Sequence, residues 1–446
     1  MVASALGALG ALSALARDRP RVVADHRRLQ PLIVVWVLAA LGARLWALLL
    51  PPAYSEDVFR YIYEGRLTLV YGPMFPFLHP PAEGPALGIP PALLDATWLR
   101  VNHASIPTIY PPLSQLVFTA GAALGELLGG HHLVALKGLL VSAELLAIAA
   151  VARVSRAAGL LMLTSPLAIV EVAREGHGDA LTVLGLALGA AALAQPETLG
   201  AARAVRRAAV GFALAALAKL VGVVPLGVLL LRSRAGATAA PTSAAAIPGA
   251  AGPPHSDDLG LPSVWARGRA LLPGVLLVSL TALPYLAGGT TALRSYSTAW
   301  RSGDGAFTLI LWGVQALMGG DWTRVAEVTL TAHQVARALT VVGLLVSAAL
   351  LLPRAPRMLD KAGLSLLLVL LWSPSVHVWY VLWLLPFWAL RTWGAGAMAA
   401  LLVLAPLLHH PGWLALTTDT WTDVPWVRAL VHVPAWALLV RRARVV

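Results

Sequence analysis

No cysteine occurs in the 446 residues, which excludes a disulfide framework, a thiolate metal site and a cysteine nucleophile. Charge is almost as scarce. Only 12% of residues are charged and 58% are hydrophobic, where a soluble domain carries roughly a quarter charged. A water-soluble protein of this length could not cover its surface with so few charges, so soluble enzyme and disordered chain are excluded as readings. Acid is the scarcer sign: 21 Asp and Glu stand against 33 Lys and Arg, a formal net charge of +12. The excess does not imply a nucleic-acid partner, because the arginines lie between apolar runs and not on one face. What fills the chain is apolar sequence in repeated runs approaching the length of a membrane-crossing helix, about 20 residues. An all-α polytopic membrane protein is expected, with membrane lipids among its partners and no nucleic acid.

Positive charge marks the inner ends of spans. Arg17, Arg19, Arg21, Arg27 and Arg28 precede the first apolar run, and Arg441, Arg442 and Arg444 follow the last. Both termini are therefore expected in the cytoplasm. The charges follow the Ala/Gly/Leu stretch at the N-terminus, where a cleaved signal would have them first, so residues 1–31 read as a cytoplasmic tail. A membrane module over 32–234 contains a large first external loop, 51–111. An Ala/Pro/Gly-rich stretch over 235–269 reads as a flexible cytoplasmic linker, and 270–446 as a second membrane module. About 11–13 spans are expected, several too short to cross as straight helices. The run 208–231 lies between two arginine clusters of the same side, so it is expected to bend between Lys219 and Pro225. Broken helices at membrane depth occur where they line a cavity.

Carboxylates at a membrane boundary are costly without a partner or a task. Just after the first run comes PPAYSEDVFRYIYEGR (51–66), in which Ser55, Glu56 and Asp57 precede a helical pattern with Val58, Tyr61 and Ile62 on one face. Ser55 suits a helix cap, and two acids in the first turn suit the helix dipole. Beside a water-excluded pocket one of these acids would also serve as a general base. The helical offset keeps Glu56 and Asp57 from facing the same wall. Four further segments fall on the same outer side: Tyr110 in IYPPLSQ, His177 and Asp179 in REGHGDAL, Arg301 in YSTAWRSGDGAF, and His377, Trp379 and Tyr380 in SPSVHVWY. Asp57, His177, Asp179 and His377 offer oxygen and nitrogen ligands, but no HExxH-like spacing exists. A required divalent metal or other cofactor is not expected.

Taken in order, SEDVFRYIYEGR…YGPMFPFLHPP, IPTIYPPLSQ, REGHGDAL, LAALAKLVGVVPL and SPSVHVWYVLWLLP resemble the GT-C superfamily of integral-membrane glycosyltransferases. The likeness is to the bacterial branch related to polyprenol-phosphate-mannose-dependent mannosyltransferases. The resemblance implies a GT-C fold in a bacterial plasma membrane with an external active site. It implies inverting transfer of a hexose, mannose by analogy, from a polyprenyl-phosphate sugar donor to a glycolipid or glycan acceptor, in cell envelope biosynthesis. Asp57 matches the family's acidic base, with Glu56 beside it where Asp is usual. Glu64 and Met74–Phe75 depart from the family pattern. His177 and Asp179 match a G-H-x-D motif, and His377 and Tyr380 an H-x-W-Y motif, both bordering the donor pocket together with Tyr110 and Trp379. Arg301, Lys219, His377, Tyr380, Arg60 and Arg66 are the candidates for the phosphate, Arg301 and Lys219 first. The rival reading is a polytopic transporter or lipid flippase, whose charges would lie at mid-span. Lys219, Glu144 and Glu171 are the charges expected to lie deep.

Overall fold

The structure, a computed structural model, describes residues 26–230, 264–288, 293, 305–320, 322–325, 328–409 and 424–444. Helix dominates. The first apolar run folds as α1 (His26–Leu49), with Pro31 in its N-terminal part. The segment 51–111 opens with α2 (Asp57–Tyr71) and returns through short turns to α3 (Pro112–Leu127). Then follow α4 (His132–Ala152), α5 (Arg156–Leu163), a π turn over Ile169–Arg174, α6 (Asp179–Leu193) and α7 (Ala201–Ala218). After α7 the chain breaks at Lys219, whose backbone is extended, and resumes as a 3-10 turn and α8 (Val223–Val228). That is where the two flanking arginine clusters demanded a bend.

Beyond residue 263 come α9 (Val264–Gly288), α10 (Ala306–Met318), α11 (Ala332–Leu351) and α12 (Met358–Trp372). A 3-10 segment Val378–Leu384, α13 (Leu385–Ala389), α14 (Ala395–Leu404), a 3-10 turn Ala405–His409 and α15 (Pro425–Arg444) complete the fold. The all-α expectation holds, with one short hairpin beside the helices. Between α10 and α11 a hairpin pairs β1 (Trp322–Val325) with β2 (Val328–Thr331), Trp322 opposite Thr331. Thr331 then caps α11 in a reciprocal box with Gln334. The proposed linker needs trimming: residues 264–269 already belong to α9, while 235–263 and the first 25 residues of the tail lie outside the described residues.

The chain is a membrane protein. Four helical stretches among the described residues are long and apolar enough to cross a bilayer: Gln30–Leu49, His132–Ala152, Trp265–Leu286 and Ala332–Arg354. A fifth crossing arises if Arg156–Leu163 and Pro166–Arg174, bent by 48°, act as one. Further apolar helices are short, among them Asp179–Leu193 and Ala395–His409. Helix α1 turns Trp36, Leu38, Leu45 and Trp46 outward, and α11 does the same with Val341, Val342, Leu345 and Leu350. Apolar faces of that extent are a liability in water and are satisfied by lipid.

Helices α6 and α7 pack closely, with α9 on the far side of α7 and α4 beside α6, while α2 lies on α3. Close approach explains the glycines at these contacts. A Cβ at Gly211 would sit 2.5 Å from the Gly189 amide nitrogen and 2.9 Å from the Gly185 carbonyl oxygen. In lipid, where apolar contact alone drives little association, small residues let helix backbones meet. One large core unites these helices with α12 and the Val378–Leu384 turn. A separate small core of Tyr63, Leu67, Ile89, Leu93 and Val101 gives the 51–111 segment its own interior.

Two buried cations were not anticipated. Arg44 of α1 pairs in fork geometry with Glu144 of α4, Nε to Oε2 at 3.0 Å and Nη2 to Oε1 at 2.6 Å, and donates to the Leu163 carbonyl at 2.6 Å. Lys137 of α4 donates to the carbonyls of Ala47 and Leu50 at 3.1 and 2.7 Å, closing the C-terminal end of α1 with positive charge. Arg44 is made tolerable by its carboxylate partner, and Lys137 by two carbonyls at a helix end, with no carboxylate in contact among the described residues.

Candidate functional site

The start of the 51–111 segment is fastened by Glu175, a fully buried carboxylate. It accepts the backbone amides of Ala53, Tyr54 and Ser55, at 2.8 Å for Tyr54. This clamp sets where α2 begins. Ser55 Oγ accepts the Asp57 amide at 3.2 Å, so the serine does act at the helix start, one residue outside the cap position held by Glu56.

From there the two acids part. Glu56 points to the rim, half exposed, and pairs with Arg100 at 3.2 Å, whose guanidinium also lies over the Phe59 ring. Asp57 turns inward. Its Oδ1 accepts Asn102 Nδ2 at 2.6 Å, and Tyr61 Oη stands 3.5 Å from its Oδ2. Tyr110 Oη lies 3.5 Å from Tyr61 Oη, and the Tyr61 ring stacks on Phe118 with centroids 4.4 Å apart. Glu56 therefore carries a surface contact, and Asp57 alone of the pair faces the interior.

Arg60 and Arg66 are engaged by carboxylates and carbonyls within the loop. Arg60 pairs with Glu64 at 2.8 Å and donates to the carbonyls of Asn102, His103 and Ile106. Glu64 is saturated further by Thr108 and Gln115, at 2.7 and 2.6 Å. Arg66 pairs with Asp95 at 2.6 Å, and Asp95 caps the short helix Ala96–Leu99. Burial would raise the Asp95 carboxyl, but the Arg66 hydrogen bond and charge, with the Thr97 and Trp98 amides, hold it below its usual value. These arginines shape the loop; the structure offers no support for them as phosphate ligands. Arg301, like Tyr296, Trp300 and Asp304 of the same segment, lies outside the described residues.

The remaining candidates converge around Asp179 and Trp379. Lys219, freed from helix by the break after α7, contacts both oxygens of Asp179 at 3.0 Å. Trp383 Nε1 donates to the same carboxylate at 2.6 Å. The Lys219 ammonium also sits 3.9 Å from the Tyr380 ring centroid and 5.3 Å from that of Trp383, an aromatic seat for a cation. Alongside, Trp379 is sandwiched between two imidazoles: His177 at 3.7 Å and His377 at 4.5 Å between ring centroids, both nearly parallel to it.

The charges of Asp57, Lys219, His177 and His103 all act on His377, and those of Asp57 and Asp179 act on His177. Segments at positions 57, 103, 177, 219 and 377 thus form one electrostatic neighbourhood. Within it burial holds the His377 imidazolium well below the ordinary histidine value. His103 is lowered as well, by burial first, with Asp57 opposing and Arg60 reinforcing. Among the described residues no group of three or more His, Cys, Asp or Glu side chains is arranged to hold a metal ion.

Asn102 and Trp383 escaped the sequence reading, though both touch candidate carboxylates. Asn102 sits in a loop with no period to mark it. Trp383 is four residues from Trp379 in a run that reads as ordinary apolar helix. Comparison with known protein families, with characterised proteins and with solved structures finds no match for this chain.

Proposed function

We propose that the protein is an inverting glycosyltransferase of GT-C type that takes a hexose, mannose by resemblance, from a polyprenyl-phosphate donor. The acceptor is a glycolipid or glycan at the external membrane face, with Asp57 as general base. The observation that carries this reading is the inward carboxylate of Asp57, oriented by Asn102 at 2.6 Å, in the same electrostatic neighbourhood as a lysine and three histidines. Displacement at an anomeric carbon requires a base for the acceptor and a cation for the departing phosphate, roles that Asp57 and Lys219 are suited to fill.

In the reaction the acceptor hydroxyl attacks C1 from the face opposite the phosphate, and Asp57 takes its proton. The new C1–O bond forms as the bond from C1 to the phosphate oxygen breaks, and the electron pair leaves on the phosphate. Lys219 meets that charge, held in place by Asp179 and the Tyr380 and Trp383 rings. A single leaving phosphate needs less countercharge than a nucleotide diphosphate, which suits a site with one lysine.

The test is transfer of radiolabelled mannose from a polyprenyl-phosphate mannose by purified, detergent-solubilised protein with no gradient. Wild type is expected to form a glycosidic product. Asp57→Asn, folded to the same extent, is expected to lose activity by about a hundredfold or more. Turnover by that variant at the wild-type rate would dismiss the assignment.

A transporter or lipid flippase is the second reading, favoured by the Arg44–Glu144 pair, whose charges lie within two long apolar helices. It predicts uptake into sealed vesicles with no covalent product.

A further inference from the structure

Behind the Trp379 stack lie groups that the reaction above leaves without a task. Glu171 sits in the π turn Ile169–Arg174, a helix distortion often found at functional sites. Its carboxylate is 1% exposed and meets two imidazoles: Oε1 lies 2.8 Å from His409 Nε2, and Oε2 lies 3.1 Å from His177 Nδ1. The same His177 Nδ1 is 3.1 Å from the Glu171 carbonyl oxygen. A carbonyl cannot donate, so Nδ1 carries the hydrogen, and His177 presents its chemistry through Nε2. That nitrogen is buried and has no hydrogen-bond partner among the described residues. An orphan polar atom beside a candidate site marks the place of a ligand atom.

Charge balance points to the ligand. A buried carboxylate requires a positive charge beside it, and two histidines contact Glu171. Burial by itself would lower the His177 imidazolium, yet the charge of the Glu171 carboxylate, whose Oε2 lies 3.1 Å from Nδ1 with no hydrogen-bond partner among the described residues, and those of Asp57 and Asp179 further off carry it above the ordinary histidine value. Its titratable neighbours are Glu171 from the π turn, His409 from the Ala405–His409 turn, Asp57 from α2, Asp179 from α6 and His377 across Trp379. Burial drives His377 the other way, so the imidazoles on the two faces of Trp379 favour opposite charge states. Tyr54, three residues before Asp57, stacks on His409 with ring centroids 4.8 Å apart, linking the cluster to the loop that carries the base.

We propose that Glu171, backed by His409, is a positioning residue that holds His177 as an imidazolium with Nε2–H facing an anionic oxygen of the substrate, a phosphate oxygen of the lipid carrier. The identity of that oxygen rests on the glycosyl-transfer reading. His177 is then a hydrogen-bond donor to the leaving phosphate as the C1–O bond breaks, and no proton need leave Nε2.

Glu171→Gln keeps the shape and removes the charge. Full-length protein in detergent is titrated by histidine nitrogen NMR, with His177→Gln to assign the resonance, and farnesyl phosphate is the probe ligand. The expected result is a His177 protonation midpoint that falls in Glu171→Gln, and a wild-type His177 Nε2 resonance that shifts when farnesyl phosphate is added. In the transfer assay, activity depends on the imidazolium and falls as pH rises through the His177 midpoint. Glu171→Gln should therefore move that falling limb to lower pH. Its rate should drop about tenfold or more at a pH just below the wild-type midpoint and recover only as pH falls below the variant's own, lower midpoint. Glu171→Asp, which retains the charge, should restore the wild-type profile at a reduced rate. An equal loss at every pH, or an unmoved His177 midpoint, would mean that Glu171 is merely structural. A His177 resonance indifferent to farnesyl phosphate would overturn the phosphate contact. A phosphate response in protein that makes no glycosidic product would sink the transfer reading and leave this inference standing.

Discussion

The Asp57 carboxylate is useful only if one oxygen stays free while the other is held. Asn102 holds Oδ1 at 2.6 Å, and Tyr61 Oη stands 3.5 Å from Oδ2, too far for a strong hydrogen bond. In the proposed reaction Oδ2 is the atom that would take the proton, and Asn102 the group that would aim it. A hydrogen bond to a charged group contributes about 1.5–3 kcal/mol. Asn102→Ala is therefore expected to lower kcat for sugar transfer by about tenfold to a hundredfold with little change in KM for the donor. Steady-state kinetics on purified protein check this, and a rise in KM with unchanged kcat would place Asn102 in donor binding instead. At this scale the sequence was informative about acids and silent about their partners. Asp57 stood out because charge is rare in the chain; Asn102, 45 residues further on, becomes its neighbour only when the loop folds back over α2.

At the scale of elements, the α6–α7 contact depends on the absence of side chains. Gly185 and Gly211 face each other, and a Cβ at Gly185 would lie 2.4 Å from the Ala215 amide nitrogen. Backbone atoms on both sides leave nowhere to yield. Gly211→Val is expected to cost about 1–3 kcal/mol or more as overpacking and to lower the thermal unfolding midpoint in detergent by several degrees. Gly42→Ala is the control: it lies in α1, where an added Cβ meets nothing within 4 Å, and it should leave the midpoint unchanged or slightly raised. A fall of equal size in both variants would refute the packing argument. The contact also serves the site, because Asp179 opens α6 and Lys219 follows α7. Separating the two helices would pull the pair apart.

For the whole molecule, the arginine distribution makes a claim about sidedness. The loop 51–111 is expected outside, and the arginines closing α15 inside. The lack of native cysteine makes the test simple. Leu99→Cys, at a position 74% exposed in the loop, should react with a membrane-impermeant maleimide added to intact cells. Arg442→Cys, exposed at the end of α15, should react only after permeabilisation. The reverse pattern would put Asp57 on the cytoplasmic side and remove the basis for an external active site.

Composition by itself determined the solvent. With 12% of its residues charged, this chain has no stable arrangement in water, and apolar runs separated by arginines require helices in a bilayer. The break at Lys219 was legible too, since two positive clusters on one side forbid a single crossing between them. What only the tertiary structure decided is which charges are consumed by pairing. Arg60 has Glu64 one helical turn on, but Arg66 and Asp57 look alike along the chain. In the fold the two arginines are spent on Glu64 and Asp95, and Asp57 is left inward. The Glu171 cluster was likewise invisible, because His409 lies 238 positions away. Pairing depends on distance in space, and a linear pattern encodes that only for neighbours one helical turn apart.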